Sequence, residues 1–161
     1  MEAAFARFAE AVATSSFGQW AGGSALAYPV ANVVHLLGLV MLVGAIGVVD
    51  LRLMGAFRTI PAAALYRSLI PVAIAGLVLM VPSGATMFAA DVAGLAGSAV
   101  FRWKITLVAV AIANAVAFHI LWRHRIDHWD AAPPFAGRLM AAGSIMLWLT
   151  IGALGRMIAY S

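Results

Sequence analysis

The sequence predicts an all-α membrane protein with four transmembrane helices in an up-and-down bundle and a short N-terminal amphipathic helix. Hydrophobic residues make up 65% of the 161 residues, only 10% are charged, and the mean hydropathy is +1.01, which lies outside the range of soluble globular domains. Four apolar stretches are each long enough to cross a hydrocarbon core about 30 Å thick. Short connections make consecutive spans neighbours. We therefore expect residues 1–161 to form a single integral membrane domain.

The first twenty residues predict the short amphipathic helix. Phe5, Phe8 and Val12 fall on one helical face. The opposite face carries Glu2, Arg7 and Glu10. Such a helix suits either the membrane surface or a cap packed over the bundle, and the pattern leaves both open. The segment lacks the features of a secretory signal, so we expect it to be retained.

The four spans are predicted over about residues 28–49, 68–90, 100–122 and 139–160. A stretch rich in serine and glycine, residues 15–23, predicts a loop before the first span. The first span ends at Asp50-Leu51-Arg52. The second contains Pro82 followed by Ser83-Gly84, where the missing amide hydrogen predicts a bend.

The distribution of basic residues orients the predicted bundle. Six arginines fall between spans one and two or between spans three and four: Arg52, Arg58, Arg67, Arg123, Arg125 and Arg138. The other side carries Arg7, Arg102, Lys104 and Arg156. This bias predicts that the Arg-rich connections face the cytoplasm and that both termini lie outside, in the periplasm if the cell is Gram-negative. The charges are scattered rather than clustered, so membrane lipid is an expected partner and nucleic acid is not.

Two ionisable residues are predicted to lie inside the membrane at a shared depth. Such residues are costly, from about 2.5 kcal/mol upward, and indicate a functional site. At about 1.5 Å of helical rise per residue, His35 lies roughly 22 Å above the inner boundary and Lys104 roughly 28 Å above it. The lysine side chain reaches about 6 Å inward, so the two side chains can meet. His119 falls at the opposite end and is not expected to share a ligand with His35.

We interpret His35 and Lys104 as axial ligands of a haem iron. Imidazole and neutral amine nitrogens are both competent ligands, and apolar surroundings disfavour the charged ammonium. Gly38, one turn from His35, would leave room for the macrocycle. The second ring nitrogen would be oriented by a polar residue of another span. The candidates are Asn114, Ser83 and Thr86.

Other residues complete the predicted site. Arg102 and Arg156 would bind the propionates, with Tyr160 close by. Met87 is the substitute axial ligand. Simpler interpretations stand beside these: a lone histidine often only bonds across helices, a lysine in a first turn often snorkels, and methionines usually pack. The absence of cysteine excludes thiolate metal sites and covalently attached haem.

Several segments carry a resemblance to a known family. They are Val34-His35-Leu36-Leu37-Gly38 with Asp50-Leu51-Arg52-Leu53, Trp103-Lys104, Asn114 to His119, and Arg156 to Tyr160. Over nearly the whole chain they resemble an uncharacterised family of small bacterial four-helix membrane proteins, a domain of unknown function. That resemblance implies the architecture and no activity.

A more distant resemblance bears on the cofactor. His35 precedes Arg52, and Arg102-Trp103-Lys104-Ile105 leads to His119. This order is similar to that of HemJ-type membrane protoporphyrinogen oxidases, which carry a histidine, an arginine and a Trp-x-x-Lys-Leu segment ending in a histidine. The resemblance implies haem b at His35 and Lys104. The shorter Trp-to-Lys spacing is a departure that bears on oxidase activity more than on haem.

The leading hypothesis is a small membrane cytochrome b for electron transfer or redox sensing, with a quinol or a redox protein as partner. One alternative is a membrane oxidoreductase acting on a porphyrinogen-like or quinol substrate. Another is a haem-free copper or small-solute carrier using His35, Met87 and Met157. Small residues on the spans also predict a homo-oligomer, a dimer or trimer, unless they serve packing within the bundle. They are Gly76, Ala142, Gly143, Gly152, Ala153 and Gly155.

Overall fold

The computed structural model describes residues 2–160, and within that range it contains helices and no strand. The α-helices are α1 (Glu2–Thr14), α2 (Ser16–Gly23), α3 (Ala27–Met54), α4 (Ala62–Ala90), α5 (Val92–Gly97), α6 (Ala99–Trp122) and α7 (Phe135–Met157). Single 3₁₀ turns cover Ile126–His128 and Ile158–Tyr160. Helices α3, α4, α6 and α7 are long and apolar enough to cross a membrane, which confirms the all-helical class and the four candidate spans. The predicted position of the Glu2 side chain lies outside the described part.

Helices α3 and α4 extend farthest beyond their predicted bounds, and α7 begins at Phe135, before its predicted start at about residue 139. Helix α3 continues to Met54 because Asp50 and Arg52, which seemed to end the span, are both buried against other parts of the chain. Gly55, at φ 114°, then ends the helix in the left-handed conformation that glycine adopts at little cost. Helix α4 begins at Ala62, directly after Pro61, and stays helical through both of its internal prolines.

The four long helices pack around one apolar core. Helix α3 packs most extensively on α4, and α7 packs on both α3 and α6. Leu42, Met80, Trp148 and Ile151 are buried where these helices meet. The bundle has two ends that differ in their residues. The histidine end is where α3 and α6 begin and α4 and α7 finish, and the arginine end holds the α3–α4 and α6–α7 connections.

The N-terminal helix α1 covers the histidine end. The ring centroids of Phe5 and Phe8 lie 6.3 Å and 6.1 Å from that of Phe88 at the end of α4. Phe88 in turn stacks on Phe101 of α6 at 5.4 Å. These aromatic contacts place α1 as a cap on the bundle, one of the two positions that its amphipathic pattern left open.

The predicted loop over residues 15–23 is wrong, because most of this stretch forms α2. Ser15 is its N-cap, and the serine side chain accepts a hydrogen bond from the amide of Gly18. Ala21 is 1% exposed, and α2 packs on α4. Capping and burial thus outweigh the low helix propensity of serine and glycine. Helix α5 has the same kind of start, with the Asp91 side chain accepting from the amide of Gly94.

Candidate functional site

His35 lies near the start of α3 and faces α4 at the histidine end. Its Nδ1 atom is 3.1 Å from the Met80 carbonyl oxygen and 3.1 Å from the Ser83 hydroxyl. A Cβ atom on Gly84 would stand 3.2 Å from Cε1 of the histidine, so the missing side chain leaves space for the ring. Residues 80, 83 and 84 share one face of α4. This face therefore supplies a carbonyl, a hydroxyl and room for the imidazole.

The hydrogen bonds of His35 fix the protonation of the neutral ring. A carbonyl oxygen only accepts, so Nδ1 carries the proton and donates to Met80. The Ser83 hydroxyl donates to the Leu79 carbonyl at 2.6 Å, which leaves its oxygen able to accept from Nδ1. Nε2 then holds the lone pair, and no hydrogen bond to it occurs among the described residues. Histidines that ligate metals are oriented in this way.

Lys104 directs its side chain into the same end of the bundle. The Nζ atom lies 3.3 Å from the position that a Cβ atom would take on Gly155 of α7. The lysine side chain is half-buried. The structure therefore brings His35 and Lys104 to one end of the bundle, on helices α3 and α6. Because the absent side chain of Gly155 makes room for the ammonium, Lys104 reaches inward rather than away from the bundle.

Gly38 lies against a neighbouring helix and not against open space. A Cβ atom on Gly38 would come within 2.7 Å of the Gly76 carbonyl oxygen and 2.8 Å of Met80 Cγ. A Cβ atom on Gly76 would similarly meet the Gly38 carbonyl oxygen at 2.6 Å. Small residues let two helix backbones approach closely, and here α4 fills the space that was expected to face a macrocycle. The observed role of Gly38 is helix packing.

The remaining predicted residues of the site also lie at the histidine end. Arg102 Nη1 donates to the carbonyl oxygens of Ala96 and Gly97, at 3.3 Å and 3.4 Å, and so holds the end of α5. Arg156 Nη2 is 2.6 Å from the Tyr160 hydroxyl, and its guanidinium carbon lies 5.0 Å from the centre of that ring. The predicted neighbours Arg156 and Tyr160 are thus in direct contact.

Met87 remains close to the His35 face of α4. It is half-buried and follows Ser83 by one helical turn, on the same side of the helix. The other two polar candidates for orienting His35 bond elsewhere. Asn114 donates to the Met140 carbonyl at 3.2 Å, and Thr86 donates to the Pro82 carbonyl at 2.9 Å.

His119 lies near the arginine end, far along α6 from Lys104. Its Nδ1 atom is 3.1 Å from the Tyr66 hydroxyl, near the start of α4. The imidazole is exposed. His119 and His35 therefore belong to different ends of the bundle and do not share a site.

Asp50 is a polar residue of the interior that the sequence pattern did not single out. It is 6% exposed, lines a cavity together with Ser144 of α7, and has no described partner for Oδ2. That cavity has a volume of about 40 Å³ and is lined also by Tyr66 and Asn114. Because a water molecule needs about 10–15 Å³ of such space, the cavity has room for water to satisfy Oδ2. If the first span had been predicted to continue past residue 49, Asp50 would have been placed inside the helix.

The number of protein ligands at the histidine end bears on whether a bare metal ion or a haem could be held there. Among the side chains that the structure describes, no three from His, Asp and Glu cluster as ligands of a single ion. A haem brings four nitrogen ligands of its own and needs only one or two axial ligands from the protein. His35, oriented through Nδ1, fits that need.

No protein-family model, curated protein or solved structure matches the chain. The resemblance to HemJ-type oxidases therefore remains an expectation based on the residues around His35 and Lys104. The proposed function therefore rests on the arrangement of the described side chains.

Proposed function

We propose that the protein is a small membrane cytochrome b that holds a haem b at the histidine end and passes single electrons or senses redox state. Its four apolar helices cross the bacterial inner membrane in this proposal, with the arginine end in the cytoplasm. The observation that carries the proposal is the anchoring of His35. Nδ1 is bonded to Met80 and Ser83, so Nε2 is oriented and left as a ligand.

The choice of haem over a protein-bound ion rests on the number of available ligands. His35 supplies one oriented nitrogen, and Lys104 brings a second nitrogen to the same end of the bundle. Met87 offers a thioether on the face of α4 that contacts His35. One histidine with a second axial ligand is sufficient for a haem b. It is a sparse set for a carrier that must hold copper by protein atoms alone.

The chain's own residues have distinct roles in this proposal. Met80 and Ser83 orient His35, and His35 and Lys104 would be the residues that hold the haem iron. Arg102 and Arg156 each bring a guanidinium group to the histidine end, and a guanidinium group suits a carboxylate, which is what the propionates present. When bound, haem b supplies a one-electron couple whose potential depends on its ligands and on the polarity around it.

The aromatic cap has a role of its own in the proposed site. Phe5, Phe8, Phe88 and Phe101 cover the histidine end with apolar rings. Such a cover limits the access of water, and exclusion of water is one way in which a protein sets the potential of a redox group.

The experiment that tests the proposal is the absorption spectrum and metal content of the purified protein. The protein is expressed with a haem precursor and extracted in a mild detergent. We expect a Soret band, reducible α and β bands, and about one haem b per chain, because the site offers one oriented histidine. Protein that stays colourless after incubation with hemin, or that binds copper in stoichiometric amount instead, contradicts the proposal.

A further inference from the structure

A second site lies at the arginine end, away from His35. A pocket of about 270 Å³ is formed between the α3–α4 connection and the chain that leads into α7. Its lining includes Arg52, Gly55, Arg58, Trp129, Asp130 and Arg138. A water molecule needs about 10–15 Å³ of such space, so the pocket is large enough for a polyatomic ligand. Three of the residues around it are arginines.

Two of these arginines converge on one point. A Cβ atom on Gly55 would stand 3.3 Å from Nη2 of Arg58 and 3.3 Å from Nη2 of Arg138. Both guanidiniums are held in place by backbone carbonyls. Arg58 Nε donates to Gly55 at 3.0 Å, and Arg138 Nη2 donates to Met54 at 2.6 Å. The end of α3 thus positions two like charges side by side.

The charge of the pocket is only partly balanced. Arg52 is paired with Asp130, with a separation of 2.5 Å between Nη2 and Oδ1. Arg58 and Arg138 have no ion pair among the described residues, and each makes a single hydrogen bond with one of its five N–H donors. Two fixed guanidiniums with donors to spare match the oxygens of a phosphate group. The pocket is therefore suited to an anion.

The surroundings of the two arginines indicate which kind of molecule carries the anionic group. Phe57, the neighbour of Arg58, is 53% exposed, and Phe135, near Arg138, is 76% exposed. Exposed apolar rings beside cations, at the end of helices long enough to span a bilayer, match the boundary between acyl chains and anionic headgroups. A phosphate free in water would gain nothing from these rings, whereas a phospholipid would contact both features.

We propose that Arg58 and Arg138 bind the phosphate of an anionic phospholipid at the arginine end. The inference depends on membrane insertion, which is part of the proposed function, and it does not depend on haem. A protein without haem would still bind the lipid, so failure of one proposal can be told from failure of the other. Basic pockets between helices at the cytoplasmic face bind anionic headgroups in this way.

The test is native mass spectrometry of delipidated protein mixed with equal amounts of phosphatidylglycerol and phosphatidylcholine. We expect the wild type to retain phosphatidylglycerol with about a thirtyfold preference, as two arginines that each contribute about 1 kcal/mol near a membrane surface would give. The double variant Arg58→Gln with Arg138→Gln should lose that preference. The control is Arg123→Gln with Arg125→Gln, which removes the same charge from the same end but outside the pocket.

Two other results of this experiment would overturn the lipid site. A wild type without preference, or an equal loss in both double variants, overturns the site. Inorganic phosphate is added in a parallel sample, and its displacement of phosphatidylglycerol at equal concentration would assign the pocket to free phosphate and overturn the lipid. If the pocket variant does not fold, Arg58→Gln alone carries the test. Arg58 is exposed, and its described hydrogen bond lies within its own turn.

Discussion

The Nδ1 atom of His35 and the carbonyl oxygen of Met80 lie 3.1 Å apart, in a hydrogen bond that joins α3 to α4 across 45 residues of sequence. Because the acceptor is a backbone atom, the bond orients the imidazole whatever side chain stands at position 80. Ser83 adds a second acceptor to the same nitrogen at 3.1 Å. The orientation of Nε2, on which the proposed haem site depends, therefore has one backbone support and one side-chain support.

Replacing Ser83 with alanine removes the side-chain support alone. We expect haem affinity to fall by about tenfold, the lower end of the effect of losing such an orienting partner, because the Met80 carbonyl remains. The measurement is a hemin titration followed at the Soret band. Thr86→Ala is the matched control, since Thr86 lies on the same helix and its hydroxyl donates to Pro82. Equal affinities for the two variants would contradict the role given to Ser83.

Lys104→Ala tests the second axial ligand. We expect haem to stay bound and its spectrum to shift toward the high-spin form, because one axial bond is lost while His35 is unchanged. Electron paramagnetic resonance of the ferric protein measures this shift directly. An unchanged low-spin signal would remove Lys104 from the iron and bring Met87 forward, and Met87→Leu should then produce the shift.

The sequence predicted the architecture well for a physical reason. Spans long enough to cross a bilayer must be continuous and apolar, so the four helices are readable from composition alone. Because helical rise per residue is constant, the positions of His35 and Lys104 along their spans likewise predicted that both lie at one end of the bundle. The role of Gly38 was not predictable in the same way. An apolar span shows where a glycine lies along the helix, but it does not show that Gly76 of α4 will occupy the adjacent space.

The two described ion pairs predict very different effects on stability. Arg52 has a side chain only 6% exposed, and Asp130 both pairs with it and accepts from the amide of Ala62 at 3.1 Å. Asp130→Ala would leave the buried Arg52 guanidinium without its counterion. Because the Asp130 side chain is itself 45% exposed, the expected cost is that of a hydrogen bond to a charged group, about 1.5–3 kcal/mol. Asp127 instead pairs with Arg67, whose side chain is 65% exposed. Asp127→Ala should cost about 0–1 kcal/mol.

The comparison of these two variants uses the free energy of unfolding in mixed micelles, titrated with a denaturing detergent. Both substitutions remove one carboxylate from the same connection, so the difference between them reports burial rather than net charge. Similar losses of stability would show that the Arg52–Asp130 pair is not the buried contact described here.

The partners of buried polar residues were harder to predict than the spans. Asp50 and Arg52 were interpreted as the end of a span because charges usually mark one. Arg52 pairs with Asp130, and Asp50 lies at a cavity that Ser144 also lines. Both Ser144 and Asp130 lie far along the sequence on other parts of the fold. Hydrogen bonds of this kind depend on tertiary packing, and a single helical pattern carries no information about them. For the same reason, the choice of Ser83 over Asn114 and Thr86 needed the structure.

The oligomeric state is predicted from two glycines. Cβ atoms on Gly143 and Gly152 would meet nothing within 4 Å, so both face open surface on α7, whereas Gly76 and Gly155 face the interior of the chain. Nine residues of helix turn these two glycines to opposite sides of α7. We expect a dimer or trimer in which neighbouring protomers approach α7 at either glycine. Mass measurement of the detergent-extracted protein, corrected for bound detergent, checks this. Gly143→Leu with Gly152→Leu should dissociate it, and a strictly monomeric wild type would contradict the prediction.

The most direct measurement of the central claim is the absorption spectrum of His35→Ala beside that of His119→Ala. Both substitutions remove one imidazole from an apolar helix, but His119 lies toward the arginine end and contacts Tyr66. The account predicts that His35→Ala loses the Soret band and the bound haem, while His119→Ala keeps about one haem per chain with an unchanged spectrum. A His35→Ala protein that retains its haem with the same spectrum, or loss of haem from His119→Ala alone, would contradict it.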